Sequence, residues 1–215
     1  MPAFQREKLG LLLVVITTLV WSGITPHDRF TWFLEVLPIL VGAPLLISTL
    51  QLFQLTTLTY RLLAFHAIIL CIGGHYTYAE VPLGFWAQDM FGFERNHYDR
   101  IGHFAQGFVP AILAREILLR RSPLVQGKWI FFLVTSICLS FSALYEIFEW
   151  GTAVFTGEAA TAFLGTQGDE WDTQWDMFMA LIGAISSQVL LSETHDGQLS
   201  RFSASSIIPQ NRQSS

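Results

Sequence analysis

Six stretches of apolar sequence approach the roughly 20 residues that an α-helix needs to cross a bilayer, and nothing else in the chain limits its fold so strongly. They run from Leu9 to about Ile24, Thr31 to Phe53, Leu58 to Gly74, Ile101 to Leu119, Trp129 to Trp150 and Asp172 to Ser192. In hydrocarbon every backbone N–H and C=O must be paired within the segment. The expected fold is therefore all-α, a polytopic membrane helix bundle of about six transmembrane helices. Composition agrees: 13% of the 215 residues are charged, against roughly 25% in a soluble domain. Residues 1–192 read as a single transmembrane helical domain, and 193–215, rich in Ser and Gln, as a disordered cytoplasmic tail.

The ends of the runs carry their own signals. Arg6 and Lys8 precede the first run as in a signal peptide, but Trp21 and Thr25-Pro26 stand where a small-residue cleavage site would follow, so an uncleaved helix is expected. Pro38 and Pro44 would kink the second helix. Cys71 and Cys138 fall inside apolar runs and read as buried free thiols. A net charge of −5 without a long basic run argues against a nucleic-acid partner.

Six spans place both termini on one side. Nine of the 12 Lys and Arg fall on that side, and 13 of the 17 acids fall on the other. Positive residues favour the cytoplasm, so both termini are expected inside. Six of the seven Trp (21, 32, 86, 150, 171, 175) then lie at the outer interface, as an aromatic belt requires.

Under this topology the chemically active side chains gather at the outer ends. RNHYDRIGHFAQGF (95–108) opens the fourth span with Asp99 and His103, four residues and about 40° apart on one helical face. ALYEIFEW closes the fifth with Glu146 and Glu149, and the sixth begins with Asp172 and Asp176, with Asp169 one turn earlier. Charge in a span is expensive, so function is the default reading for these residues. Carboxylates with an imidazole suit a divalent metal (Zn, Mn or Mg), and bundle metal sites are built from such groups on facing helices. Asp99, His103, Glu146 and Asp176 are the expected ligands, with Glu149 or Asp172 as the catalytic general base. His75, His97, Arg95 and Asp169 are further candidates.

The bland readings differ by residue. The outer acids could pair with Arg95 and Arg100 to hold helices together. Glu80, Asp89, Glu94, Glu158 and Glu170 read as solvated loop charges. His66 reads as a hydrogen-bonded bundle residue, Arg115 and Glu116 as a snorkelling side chain and a local pair, and Phe85, Trp86, Phe91 and Phe93 as a segment lying in the interface.

Four segments in order, GGHYTYAEVPLG (73–84), RNHYDRIGHFAQGF, ALYEIFEW and GTQGDEWDTQWDM (165–177), resemble the bacterial inner-membrane YjdF-like family of uncharacterised multi-span proteins. A looser similarity is to VanZ-like membrane proteins. Asp99, Arg100, His103 and Phe104 match their Asp-Lys-x-x-His-Phe with Arg for Lys, and Glu146, Asp176 and Gly183 match later positions. Glu149 stands where Gln is usual and Ala180 where Asn is usual. The resemblance implies an inner-membrane helical bundle with its polar cluster at the outer surface, near envelope lipids.

The leading expectation is metal-assisted hydrolysis or transfer on the head group of a lipid-linked substrate. A small ion- or proton-coupled transporter is the rival, kept alive by Pro38, Gly42 and Pro44. A membrane assembly or structural factor, binding a partner through its outer charges, is the third.

Overall fold

The computed structural model describes residues 3–157 and 161–205, and every regular element among them is helical. In chain order these are α1 (Ala3–Gly23), α2 (Arg29–Thr49), α3 (Thr57–Tyr76), a 3-10 turn (Tyr78–Glu80), α4 (Pro82–Phe91), α5 (Tyr98–Arg121), α6 (Lys128–Thr156), α7 (Thr161–Leu164) and α8 (Asp172–Ser205). Helices α2, α3, α6 and α8 are long and apolar enough to cross a membrane. At 21 and 24 residues, α1 and α5 have the length as well, but α1 starts with Arg6, Glu7 and Lys8 together and α5 carries six charged side chains. Residues 206–215, the remainder of the expected tail, and Glu158 lie outside the described residues.

Local chemistry sets the helix starts. Asp28 and Thr56 cap α2 and α3 by accepting from the Thr31 and Thr59 amides, and Pro82 opens α4 where its missing N–H costs nothing. Gly92 ends α4 with a left-handed φ of 67°. Connection 75–100 is thus partly helical. On α4 Leu83, Phe85, Trp86, Met90 and Phe91 are exposed.

The bundle has two halves. α3 packs against α1 and α2, α5 packs against α6 and α8, and α3 meets α5 to join them. The most extensive pairing is α5 with α8. Its middle is backbone against backbone: a Cβ on Gly107 would land on the Ala180 carbonyl oxygen, and one on Gly183 would land on the Phe104 carbonyl oxygen. Lipid offers helices no hydrophobic reason to associate, so close approach through small residues does that work. Leu13, Val41, Leu45, Phe132, Phe141 and Leu190 point outward, where a lipid solvent would accept them.

The two ends of the bundle are polar. At the end opposite Asp99 and His103, Glu116 is 0% exposed. It accepts from the Thr56 amide at 2.9 Å, the Thr56 and Thr59 hydroxyls at 2.9 and 2.6 Å, and Arg120 at 2.6 Å, with His195 3.3 Å away. Arg115 is buried and makes a two-pronged pair with Asp196 at 2.6 and 3.0 Å. Arg115 does not snorkel, and the local pair of Glu116 is Arg120. The reason is that α8 continues past Ser192, where the apolar run stops, and sets His195 and Asp196 opposite α5. His66 also departs from expectation: its buried Nε2 has no hydrogen-bond partner among the described residues, and one turn to either side on its own helix stand only Leu62, Leu63, Ile69 and Leu70. Cys71 and Cys138 are buried free thiols.

Two stability outcomes are expected in thermal unfolding of detergent-solubilised protein. Gly107→Val, which forces the Ala180 backbone away, should cost about 2–4 kcal/mol, whereas Gly151→Ala, whose Cβ meets nothing, should be near neutral. Glu116→Ala should cost about 3 kcal/mol by leaving buried Thr, Arg and His groups unpaired.

Candidate functional site

The opposite end of the bundle collects the starts of α2, α5 and α8 and the end of α6. Helix spacing aligns the groups: Asp99 and His103 stack on α5, Asp172 and Asp176 on α8, and Glu146 and Glu149 occupy adjoining faces of α6. Six carboxylates here are buried, those of Glu35, Asp99, Glu146, Glu149, Asp172 and Asp176. The cations facing them are Arg95 and Arg100, so carboxylates outnumber guanidiniums three to one.

His103 is the centre of the arrangement. Its Nε2 lies 3.5 Å from Asp99 Oδ1 and 4.0 Å from Asp176 Oδ2, and its Nδ1 lies 3.6 Å from Glu146 Oε1. One ligand atom each from Asp99, His103 and Asp176 lie within 4.8 Å of one another, a group that could hold a metal ion. His103 Nδ1, Glu146 Oε1 and Asp176 Oδ1 are buried and have no hydrogen-bond partner among the described residues. Burying such atoms unpaired is costly, so their convergence points to something that binds between them.

Beside this centre the two arginines clamp the start of α8. Arg95 Nη1 donates to Asp172 Oδ1 at 2.6 Å and its Nη2 to the Gly165 carbonyl at 3.2 Å. Arg100 Nη2 donates to Asp169 Oδ2 at 2.8 Å, and its Nε lies 3.6 Å from Asp176 Oδ1. The Arg100 guanidinium also lies 5.3 Å from the centre of the Trp175 ring. The Trp171 amide, and after it Arg100, hold the Asp169 carboxyl below the ordinary aspartate range. Gln167 ties the loop down by a reciprocal pair with the Asn96 backbone, at 3.1 and 2.8 Å. Asn96 in turn donates to the Val81 carbonyl and receives the Tyr98 amide.

Of the residues singled out by sequence, Asp99, His103, Glu146, Glu149 and Asp176 come together, and Arg95, Asp169 and Asp172 form the adjoining clamp. His75 and His97 do not join them. His75 stacks on Trp21 with ring centres 4.5 Å apart and its Nδ1 lies 3.0 Å from the Ser22 carbonyl, linking α3 to α1. His97 sits edge-on to Phe93, and burial, then the charges of Arg100 and Arg95, lower its pKa. Glu80, Asp89, Glu94 and Glu170 are exposed, as loop charges should be.

Sequence reading passed over Glu35, Tyr78 and Tyr145. The Tyr145 hydroxyl lies 3.5 Å from Glu35 Oε2, and Tyr78 is buried beside it at the same end of the bundle. A signal existed for Glu35, since it is an acid inside an apolar run, but it lies far along the chain from the other acids. Nothing in the sequence marks Tyr78, whose ring fits between Gly73 and Gly102, where a Cβ would collide with it.

The low pKa of Asp169 fixes the sign of one pH effect. Its ion pairs with Arg95 and Arg100 contribute fully above the ordinary aspartate value of 3.8 and are lost only as pH falls through the lowered folded value. The difference in melting temperature between wild type and Asp169→Asn should therefore be constant from pH 7 to about 5 and shrink only as pH falls below 3.8.

Comparison with known proteins places this geometry in a family. Residues 7–197 match the family model described as predicted membrane protein (DUF2238). The chain is 48% identical over 190 residues to the inner membrane protein YjdF of Escherichia coli (strain K12), covering 88% of this chain and 91% of that protein. No solved structure matches it. The chain belongs to this family of predicted membrane proteins, in line with its YjdF-like motifs.

Proposed function

We propose that this chain is a six-span protein of the bacterial inner membrane that holds a divalent metal at the outer end of its bundle and acts on the head group of a lipid-linked substrate. The observation that carries the reading is the buried Asp99, His103 and Asp176 group, with ligand atoms within 4.8 Å and unpartnered polar atoms around it. Two carboxylates and an imidazole suit Zn, Mn or Mg. The metal would supply Lewis acidity and an activated water at neutral pH.

The geometry supports a distinct role for each neighbour. Glu146 faces His103 Nδ1 at 3.6 Å, across the ring from the Nε2 that faces Asp99 and Asp176. That is the place of a carboxylate that orients a histidine ligand and raises its basicity, and it suits Glu146 better than the ligand role. Asp172 is held by two guanidiniums, so its role is to position the start of α8. Glu149 has no cation within ion-pair distance among the described residues and lies in electrostatic reach of Glu146 and Asp99, which favours it as the general base.

A six-span topology with both termini on one side draws support from the antiparallel packing, and the Lys and Arg asymmetry favours that side as the cytoplasmic one. The α1–α2 turn meets the end of α3 through the His27 amide and His75 carbonyl, while at the other end Glu7 pairs with Arg61 and Gln198 with the Leu58 amide. The charges that lower the hydropathy of α5 are largely turned inward, among them Asp99, Arg115 and Glu116. The same excess of carboxylates would serve a proton- or cation-coupled carrier, and metal content separates the two.

Detergent-purified protein should carry about one equivalent of metal by mass spectrometry, absent in Asp99→Ala. Glu146→Gln should retain the ligands and weaken binding by about 10–100-fold. Metal missing from wild type, or undiminished in Asp99→Ala, sinks the metal reading.

A further inference from the structure

At the end of the bundle away from the acidic site, a cleft opens between the start of α1, the start of α3 and the last turns of α8. Its volume is about 610 Å³, and its wall includes Phe4, Glu7, Thr57, Arg61, Arg201 and Phe202. Ligand sites of this kind run from roughly 300 to 1,000 Å³. The walls are tied together: Gln198 Oε1 accepts the Leu58 amide at 2.9 Å, and Arg120 donates to the Gln54 carbonyl at 2.6 Å.

The cleft lies where three apolar runs stop, which puts it at the depth of lipid head groups. Phe4 and Glu7 precede the run that opens at Leu9, Thr57 stands immediately before the run at Leu58, and Arg201 and Phe202 follow the run that closes at Ser192. Arg61 is the exception, three residues inside its run. It is paired with Glu7 through Nε, yet its side chain is still 61% exposed.

Positive charge predominates around this space. Glu7 is the one acid among the described lining residues, against Arg61 and Arg201. The Lys8 ammonium lies 4.3 Å from the centre of the Phe4 ring, and the Arg120 guanidinium 4.5 Å from that of Phe202, so each aromatic wall carries a further cation. Arg120 is already bonded to Glu116, whereas Arg61 has only the exposed Glu7 pair, which an anion can replace at little cost. Basic pockets between membrane helices suit phosphate head groups, and guanidiniums match phosphate oxygens in pairs. A soluble phosphate would meet the same cations. The Phe4 and Phe202 rings add apolar surface that only an amphiphile uses.

We propose that this cleft binds one anionic glycerophospholipid, its phosphate against Arg61 and Arg201 and the start of its chains along Phe4 and Phe202. The site is independent of the metal reading, which concerns the opposite end of the bundle.

The test is native mass spectrometry of the full chain in a sugar-based detergent, titrated with phosphatidylglycerol or phosphatidylethanolamine at equal concentration. Wild type should show several-fold more of the one-lipid adduct with phosphatidylglycerol. Arg61→Gln should lower that adduct several-fold. Glu7→Gln, which removes the acid competing for Arg61, should raise it, a gain that a poorly folded variant does not produce. Glycerol 3-phosphate at the same concentration should leave the adduct in place. Equal or greater binding of phosphatidylethanolamine by wild type overturns the proposal, as does a Glu7→Gln protein that binds no more phosphatidylglycerol than wild type. Displacement by glycerol 3-phosphate overturns the lipid assignment and makes a soluble phosphate the occupant.

Discussion

An imbalance of charge inside the bundle governs this structure. Six buried carboxylates share one end with two guanidiniums and an imidazole, in surroundings that solvate charge poorly. Arg95 and Arg100 compensate Asp172 and the loop acid Asp169, and by doing so bring the start of α8 against the start of α5. What they leave behind, around His103 and around Glu35, is negative potential directed inward. A protein built only for stability would have fewer of these acids, because a carboxylate without a partner destabilises a buried site.

The contrast with the other end sharpens the point. Glu116 is also fully buried, but its oxygens are met by two threonines, an arginine, a histidine and the Thr56 amide at the start of α3. That network is closed on itself and fixes α3, α5 and α8 together. Charge in the membrane therefore has two uses in this chain, one structural and satisfied, the other unsatisfied and open to a ligand.

Much of the arrangement was legible from sequence because helices have a fixed period. Asp99 with His103 and Asp172 with Asp176 had to share faces whatever the tertiary packing, and each apolar run fell on one helix, though α1 begins six residues before its run and α8 extends thirteen residues past it. The partners were harder to read. Arg115 looked lipid-facing because Asp196 lies beyond the apolar run, and only the continuation of α8 to Ser205 brings the two together. Glu35 could not be assigned to the site from periodicity, since its neighbours Tyr78, Tyr145 and Glu149 come from other elements. Gln167 and Asn96 act through backbone pairing in a loop, where sequence period says nothing.

The backbone contact of Gly107 with Ala180 and of Gly183 with Phe104 bears on motion. Two helices interlocked at that depth cannot slide or rotate against each other without backbone collision, so α5 and α8 move as one rigid body. Any opening of the polar end must come from a partner helix. Of α2 and α6, which bring Glu35, Glu146 and Glu149 to that end, α6 has no proline and α2 has two, Pro38 lying less than one turn beyond Glu35, each removing one backbone hydrogen bond from the helix.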